Sequence, residues 1–84
     1  MGRFIFIGTD NNKTIDAVTI KDVIKTAPVR IEPGFRYYFT CRRNPKAIKI
    51  GDFSFRYSII CNRFPFEGGQ GTETVIGYSS RYLE

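Results

Sequence analysis

The run Phe35-Arg36-Tyr37-Tyr38-Phe39 constrains this chain more than any other stretch. Aromatic residues this dense favour a β-strand. Side chains alternate along a strand, so Phe35, Tyr37, Phe39 and Cys41 share one side, and Arg36, Tyr38, Thr40 and Arg42 share the other. A second stretch has the same pattern. Phe53, Phe55, Tyr57, Ile59 and Cys61 form an inward row, with Ser54, Arg56, Ser58 and Ile60 outward. Between the two, Asn44-Pro45-Lys46 breaks the first strand and Gly51-Asp52 marks a turn. Ala47-Ile48-Lys49-Ile50 reads either as a short strand or as the arm of a long loop.

Upstream, Arg3 to Ile7 is a short apolar strand ended by the turn signal Gly8-Thr9-Asp10-Asn11-Asn12. Lys13 to Val18 alternates polar and apolar residues and pairs with it as a hairpin. Thr19 is a helix N-cap, and Asp22, three residues on, can accept from the cap amide. Ile20, Val23, Ile24 and Ala27 then fall on one helical face, which makes Ile24 a core residue. Pro28 ends the helix, which runs from about Thr19 to Ala27. Downstream, Pro65, Gly68, Gly69 and Gly71 mark a flexible connection, and Thr74 to Leu83 is a last strand. The order strand, strand, helix, strand, strand, strand predicts an α+β domain spanning residues 1–84. A ubiquitin-like β-grasp roll with about five strands and one short helix fits best. A small open barrel plugged by the helix is the alternative.

Composition narrows the function. Eighty-four residues allow one core and no second catalytic domain. There is no histidine, which removes the commonest general base and metal ligand. Asp10, Asp16, Asp22 and Asp52 sit in turns and caps. Gly68-Gly69-Gln70-Gly71 lacks the Gly-Lys-Ser/Thr of a phosphate loop and opens no helix. Cys41 and Cys61 are too few for a structural zinc site, and both face inward. One disulfide between them is the alternative, but we expect reduced, inert thiols in a cytoplasmic protein, with no enzymatic activity, cofactor or metal. No apolar run is long enough for a membrane span or signal peptide, and Phe6-Ile7 spoils a myristoylation signal at Gly2.

The net charge is +5. Arg36, Arg42, Arg43, Lys46 and Lys49 lie close together around Tyr37, Tyr38 and Phe39. Arginines beside exposed rings on a sheet bind single-stranded nucleic acid through phosphates and stacked bases. The alternation buries Tyr37 and Phe39, however, and leaves only Tyr38 for stacking. Nucleic-acid binding is therefore the lesser alternative here.

Three blocks, in order, resemble the DIX domain of axin and dishevelled proteins. They are Val18-Thr19-Ile20 opening the helix, the strand Phe35-Arg36-Tyr37-Tyr38-Phe39, and Phe64-Pro65-Phe66-Glu67-Gly68 followed by Val75-Ile76-Gly77. The aromatic strand looks more axin-like than dishevelled-like. Cys61-Asn62-Arg63 departs from the family, which carries acidic residues there. The resemblance implies a ubiquitin-like fold with the second and fourth strands at opposite sheet edges. Open edges template pairing with another chain, and head-to-tail pairing builds filaments. The chain would then be a Wnt-type signalling scaffold whose partners are itself and other DIX domains, with no membrane. The implied interface is Lys13 and Ile15 on one edge and Phe55, Arg56, Ser58 and Ile60 on the other. Phe55 is inward by alternation yet aligns with an apolar family contact, and Ile60 is the outward apolar residue.

Overall fold

The computed structural model describes residues 2–6, 13–17, 19–26 and 30–83. The expected turn at 8–12 and the ends of the helical face, Ala27 and Pro28, lie outside the described residues. The elements are β1 (Gly2–Phe6), β2 (Lys13–Ala17), α1 (Ile20–Thr26), β3 (Phe35–Ile50), β4 (Phe53–Pro65) and β5 (Thr72–Ser79).

α1 starts where its capping residues dictate. The Thr19 amide donates to Asp22 Oδ2 at 3.1 Å, and the Asp22 amide donates to Thr19 Oγ1 at 3.3 Å. These bonds satisfy two amides at the helix end. Asp22 also sits in the positive first turn and Lys25 in the negative last turn. The core residue of the helix is Val23, with no exposed surface, and not Ile24, which is half-buried.

β3 and β4 form a long hairpin, from Phe35 opposite Pro65 to Ile50 opposite Phe53. A two-residue turn closes it. Gly51 has φ 59° and, among the described residues, no non-glycine has positive φ, the sign pattern of a type II′ turn. The strand does not end at Asn44-Pro45-Lys46. It continues to Ile50 across a register break between Arg43 and Ile48.

The body of the domain is thus three long antiparallel strands and one short helix, with no closed roll. This corrects the expected ubiquitin-like β-grasp roll of about five strands. The sheet order is β2-β1-β5-β4-β3, and every pairing is antiparallel. A β-grasp roll sets its last strand parallel to its first, whereas here β1 meets β5 antiparallel, Phe4 to Phe6 opposite Ser79 to Gly77. The cause lies in the connections. Short links fold each long strand back onto its predecessor, so β3, β4 and β5 become sequential neighbours. β4 therefore lies between β5 and β3 and is not the sheet edge that the DIX resemblance required; the edges are β2 and β3.

One face of the sheet packs under the helix. Ala17, Val23, Ile59, Cys61, Ile76 and Leu83 are buried together, with Ile20, Tyr37, Phe39 and Cys41 against them. Leu83 is locked in place when its amide donates to Cys41 Sγ at 3.5 Å. Two irregularities alter the simple alternation. Ile59 pairs with Gly77 while Ile60 pairs with Val75, so Ile76 is an extra residue on β5, a β-bulge that turns it into the helix-side core. Phe55 leaves the helix-side cluster and stacks on Tyr78, with ring centroids 6.2 Å apart.

Candidate nucleic-acid interface

On β3 the outward row is Arg36, Tyr38, Thr40 and Arg42, all exposed. Each has an even-numbered partner on β4: Phe64, Asn62, Ile60 and Ser58 respectively. Arg42 reaches across this face to Glu73 of β5, Nη1 and Nη2 donating to Oε1 and Oε2 at 3.1 and 3.0 Å. Arg42 stands opposite Ser58, and Glu73 opposite Asn62, so the bridge passes over the position of Ile60. This explains why Ile60, an outward residue by alternation, is only 1% exposed.

Beyond that bridge the face is open and aromatic. Tyr38 is 51% exposed, Phe64 40% and Phe66 59%. The Tyr38 and Phe64 rings meet edge to face, with centroids 5.8 Å apart. The Arg36 guanidinium lies 5.3 Å from the centroid of the Phe66 ring, a cation–π contact. Arg36, Tyr38, Phe64, Phe66, Gly68 and Gly69 border an open hollow of about 410 Å³. The glycines shape it. Gly68 and Gly69 have φ of 95° and 108°, which residues with a Cβ rarely adopt. At Gly71 a Cβ would stand 2.3 Å from the Phe64 ring, so only glycine lets the loop backbone rest on that ring. The expected flexible connection is therefore also a wall of the aromatic site.

Positive charge continues from this patch along β3. Arg43, Lys46 and Lys49 are exposed, as is Arg56 on β4. Among the described residues, none of these four makes an ion pair. At the register break, the Ser58 hydroxyl donates to Asn44 Oδ1, while Asn44 Nδ2 is buried without an acceptor. An unsatisfied buried donor costs about 1–3 kcal/mol.

The residues expected at a head-to-tail interface fall as follows. Lys13 and Ile15 lie on β2, at a free edge, and their side chains are outside the described set. Phe55, Ser58 and Ile60 are buried within the chain, and only Arg56 is exposed. β4 has a strand on either side, and the tail residues other than Arg56 fill the fold. Sequence reasoning missed Phe64 and Phe66. The signal was available: continuing the outward row Ser58, Ile60, Asn62 by twos reaches both. Assigning them to a turn by resemblance hid it. Asn44 had no comparable signal.

The thiols remain free, Cys61 buried and Cys41 half-buried. Burial pushes both above the ordinary thiol range, partly offset by the Leu83 amide at Cys41 and the Arg63 charge near Cys61. Protonated thiols are poor nucleophiles. Among the described residues no three acidic or cysteine side chains gather as metal ligands. No helix among them is long and apolar enough to cross a membrane.

No protein-family model, curated protein or solved structure matches the chain. The DIX resemblance is thus a likeness of short segments, carried on a fold with different strand order.

Proposed function

We propose that this chain is a small single-stranded nucleic-acid-binding domain. The observation that carries the reading is the exposed triad Tyr38, Phe64 and Phe66 gathered with Arg36 on one open sheet face. Isolated exposed rings are common on any surface. Three together, with the Arg36 guanidinium among them and further cations on the same strand at Arg43, Lys46 and Lys49, supply both halves of single-strand recognition: π faces for bases and cations for phosphates. The net charge of +5 adds long-range attraction for a polyanion. Arg36 serves twice, steadying Phe66 and standing within reach of a phosphate beside a stacked base.

The test is fluorescence anisotropy of a short labelled homopolymeric oligonucleotide, repeated across a salt series. Affinity should fall linearly with salt on logarithmic axes, with a slope that tracks the phosphates contacted. Tyr38→Ala and Phe66→Ala should each lose about 1–3 kcal/mol of binding. An affinity unmoved by both substitutions, or no binding at low salt, would overturn the reading.

One observation favours a second reading, self-association. β2 and β3 both present free sheet edges, which template strand pairing. Lys46, Lys49 and Pro45 on β3 are the residue types that blunt such edges, so the pairing would fall to β2 and Ile15. Sedimentation at rising concentration tests it, with Ile15→Asp expected to stop any association seen.

A further inference from the structure

β3 and β4 lose register at one place only in their hairpin. Arg43 faces Tyr57 and Ile48 faces Phe55, so residues 44–47 of β3 stand opposite Arg56 alone. The surplus backbone bows out and leaves a hollow of about 240 Å³, bordered by Arg43, Asn44, Pro45, Ala47 and Arg56. Its charged lining is two guanidinium groups from opposite strands, with no carboxylate. Neither makes an ion pair among the described residues. Its third polar group, Asn44, is anchored through Oδ1 to Ser58 and keeps Nδ2 buried without an acceptor. Pro45 has no N–H, so it leaves the bowed segment one fewer backbone donor to satisfy.

We propose that this hollow binds a phosphate monoester. Every side-chain group free to bond there is a donor, so the ligand must be an acceptor carrying negative charge. Guanidinium forks match tetrahedral oxyanions through paired N–H bonds. Two forks present four N–H groups, more than the two oxygens of a carboxylate accept one apiece. A monoester has three terminal oxygens, and an internal phosphodiester has two. The favoured source is the phosphorylated end of a nucleic-acid strand, because exposed Lys46 and Lys49 flank the hollow on β3, the strand that also carries Tyr38. That source, though not the site, rests on the function proposed above.

The experiment has two arms. In the first, inorganic phosphate is titrated into isotope-labelled protein at constant ionic strength, with chloride as the control. Saturable shifts should appear at the Asn44 side-chain amide and at Arg56, and vanish in an Arg43→Gln/Arg56→Gln variant whose circular dichroism is unchanged. Shifts that chloride reproduces, or that survive in the variant, overturn the site. In the second arm, oligonucleotides with 5′-phosphate and 5′-hydroxyl ends are compared by anisotropy. The phosphorylated strand should bind about tenfold tighter. The arginine variant should erase that difference, whereas Tyr38→Ala should weaken both strands alike. Equal affinity of the two strands overturns the nucleic-acid end as the source. Phosphate binding with no binding of either strand would sink the function above and leave the site standing.

Discussion

At the scale of the residue, burial decides what each side chain does. Val23 is fully buried against Ile59, Cys61 and Leu83, while Ile24 on the same short helix is half-buried. Val23→Ala should cost about 1.5–3 kcal/mol, the value of a fully buried valine. Ile24→Ala should cost clearly less despite removing more carbon, and urea titration of both variants compares them directly. The thiols give a pH dependence. Burial raises the pKa of Cys41 and Cys61, so the folded chain holds protons that the unfolded chain releases. Their contribution is fully present below the ordinary thiol pKa, about 8.5, and declines as pH rises toward the folded values. Unfolding midpoints measured from neutral to alkaline pH should fall less steeply in a Cys41→Ala/Cys61→Ala variant. A parallel fall would show that other groups carry the whole effect. Gly71→Ala puts a methyl group into the Phe64 ring, so it should displace that ring and weaken oligonucleotide binding.

At the scale of the element, caps and turns set where helix and hairpin begin and end. α1 has only seven residues, too few to hold itself together. Its reciprocal Thr19–Asp22 bonds and the burial of Val23 supply what propensity does not. Thr19→Ala should cost about 1 kcal/mol. A double-mutant cycle with Asp22→Ala should give less than the sum of the single losses, because each change already breaks part of one box. The β3–β4 hairpin has its own division of labour. The Gly51 turn sets its register at one end, and the break at Arg43 to Ile48 resets it a few residues later. The break is the one part of the hairpin with an orphaned buried amide.

At the scale of the whole molecule, the sheet is open and unevenly joined. β4 pairs with β5 from Tyr57 to Arg63, but among the described residues β1 joins β5 only through Phe4, Ile5 and Phe6. The β1–β2 hairpin should therefore open at lower free energy than the three-stranded body. Amide hydrogen exchange should show β1 and β2 exchanging well before the β4 amides of Ile59, Ile60 and Cys61. Equal protection of all strands would mean that the sheet opens as a single unit. The same asymmetry separates the surfaces: the aromatic patch and the basic hollow both lie on β3 and β4, in the firmly joined part.

The local features were legible in the chain. The Thr19–Asp22 box, the Gly51 turn and the inward row Tyr37, Phe39 and Cys41 depend on residues a few positions apart. Their geometry is set by helix and strand periodicity alone. The exposed Tyr38 followed from the same counting, and Phe64 and Phe66 would have followed from it too. Tertiary structure alone decided which strands became neighbours. β1 selects β5 and β4 becomes a centre through pairings distant in sequence, which no local spacing specifies. The bulge at Ile76 and the break at Arg43 shift the alternation by whole residues, and only paired strands reveal such shifts. For that reason Ile60 lies beneath an ion pair formed by two other strands, and Arg43 and Arg56, thirteen residues apart, border one hollow.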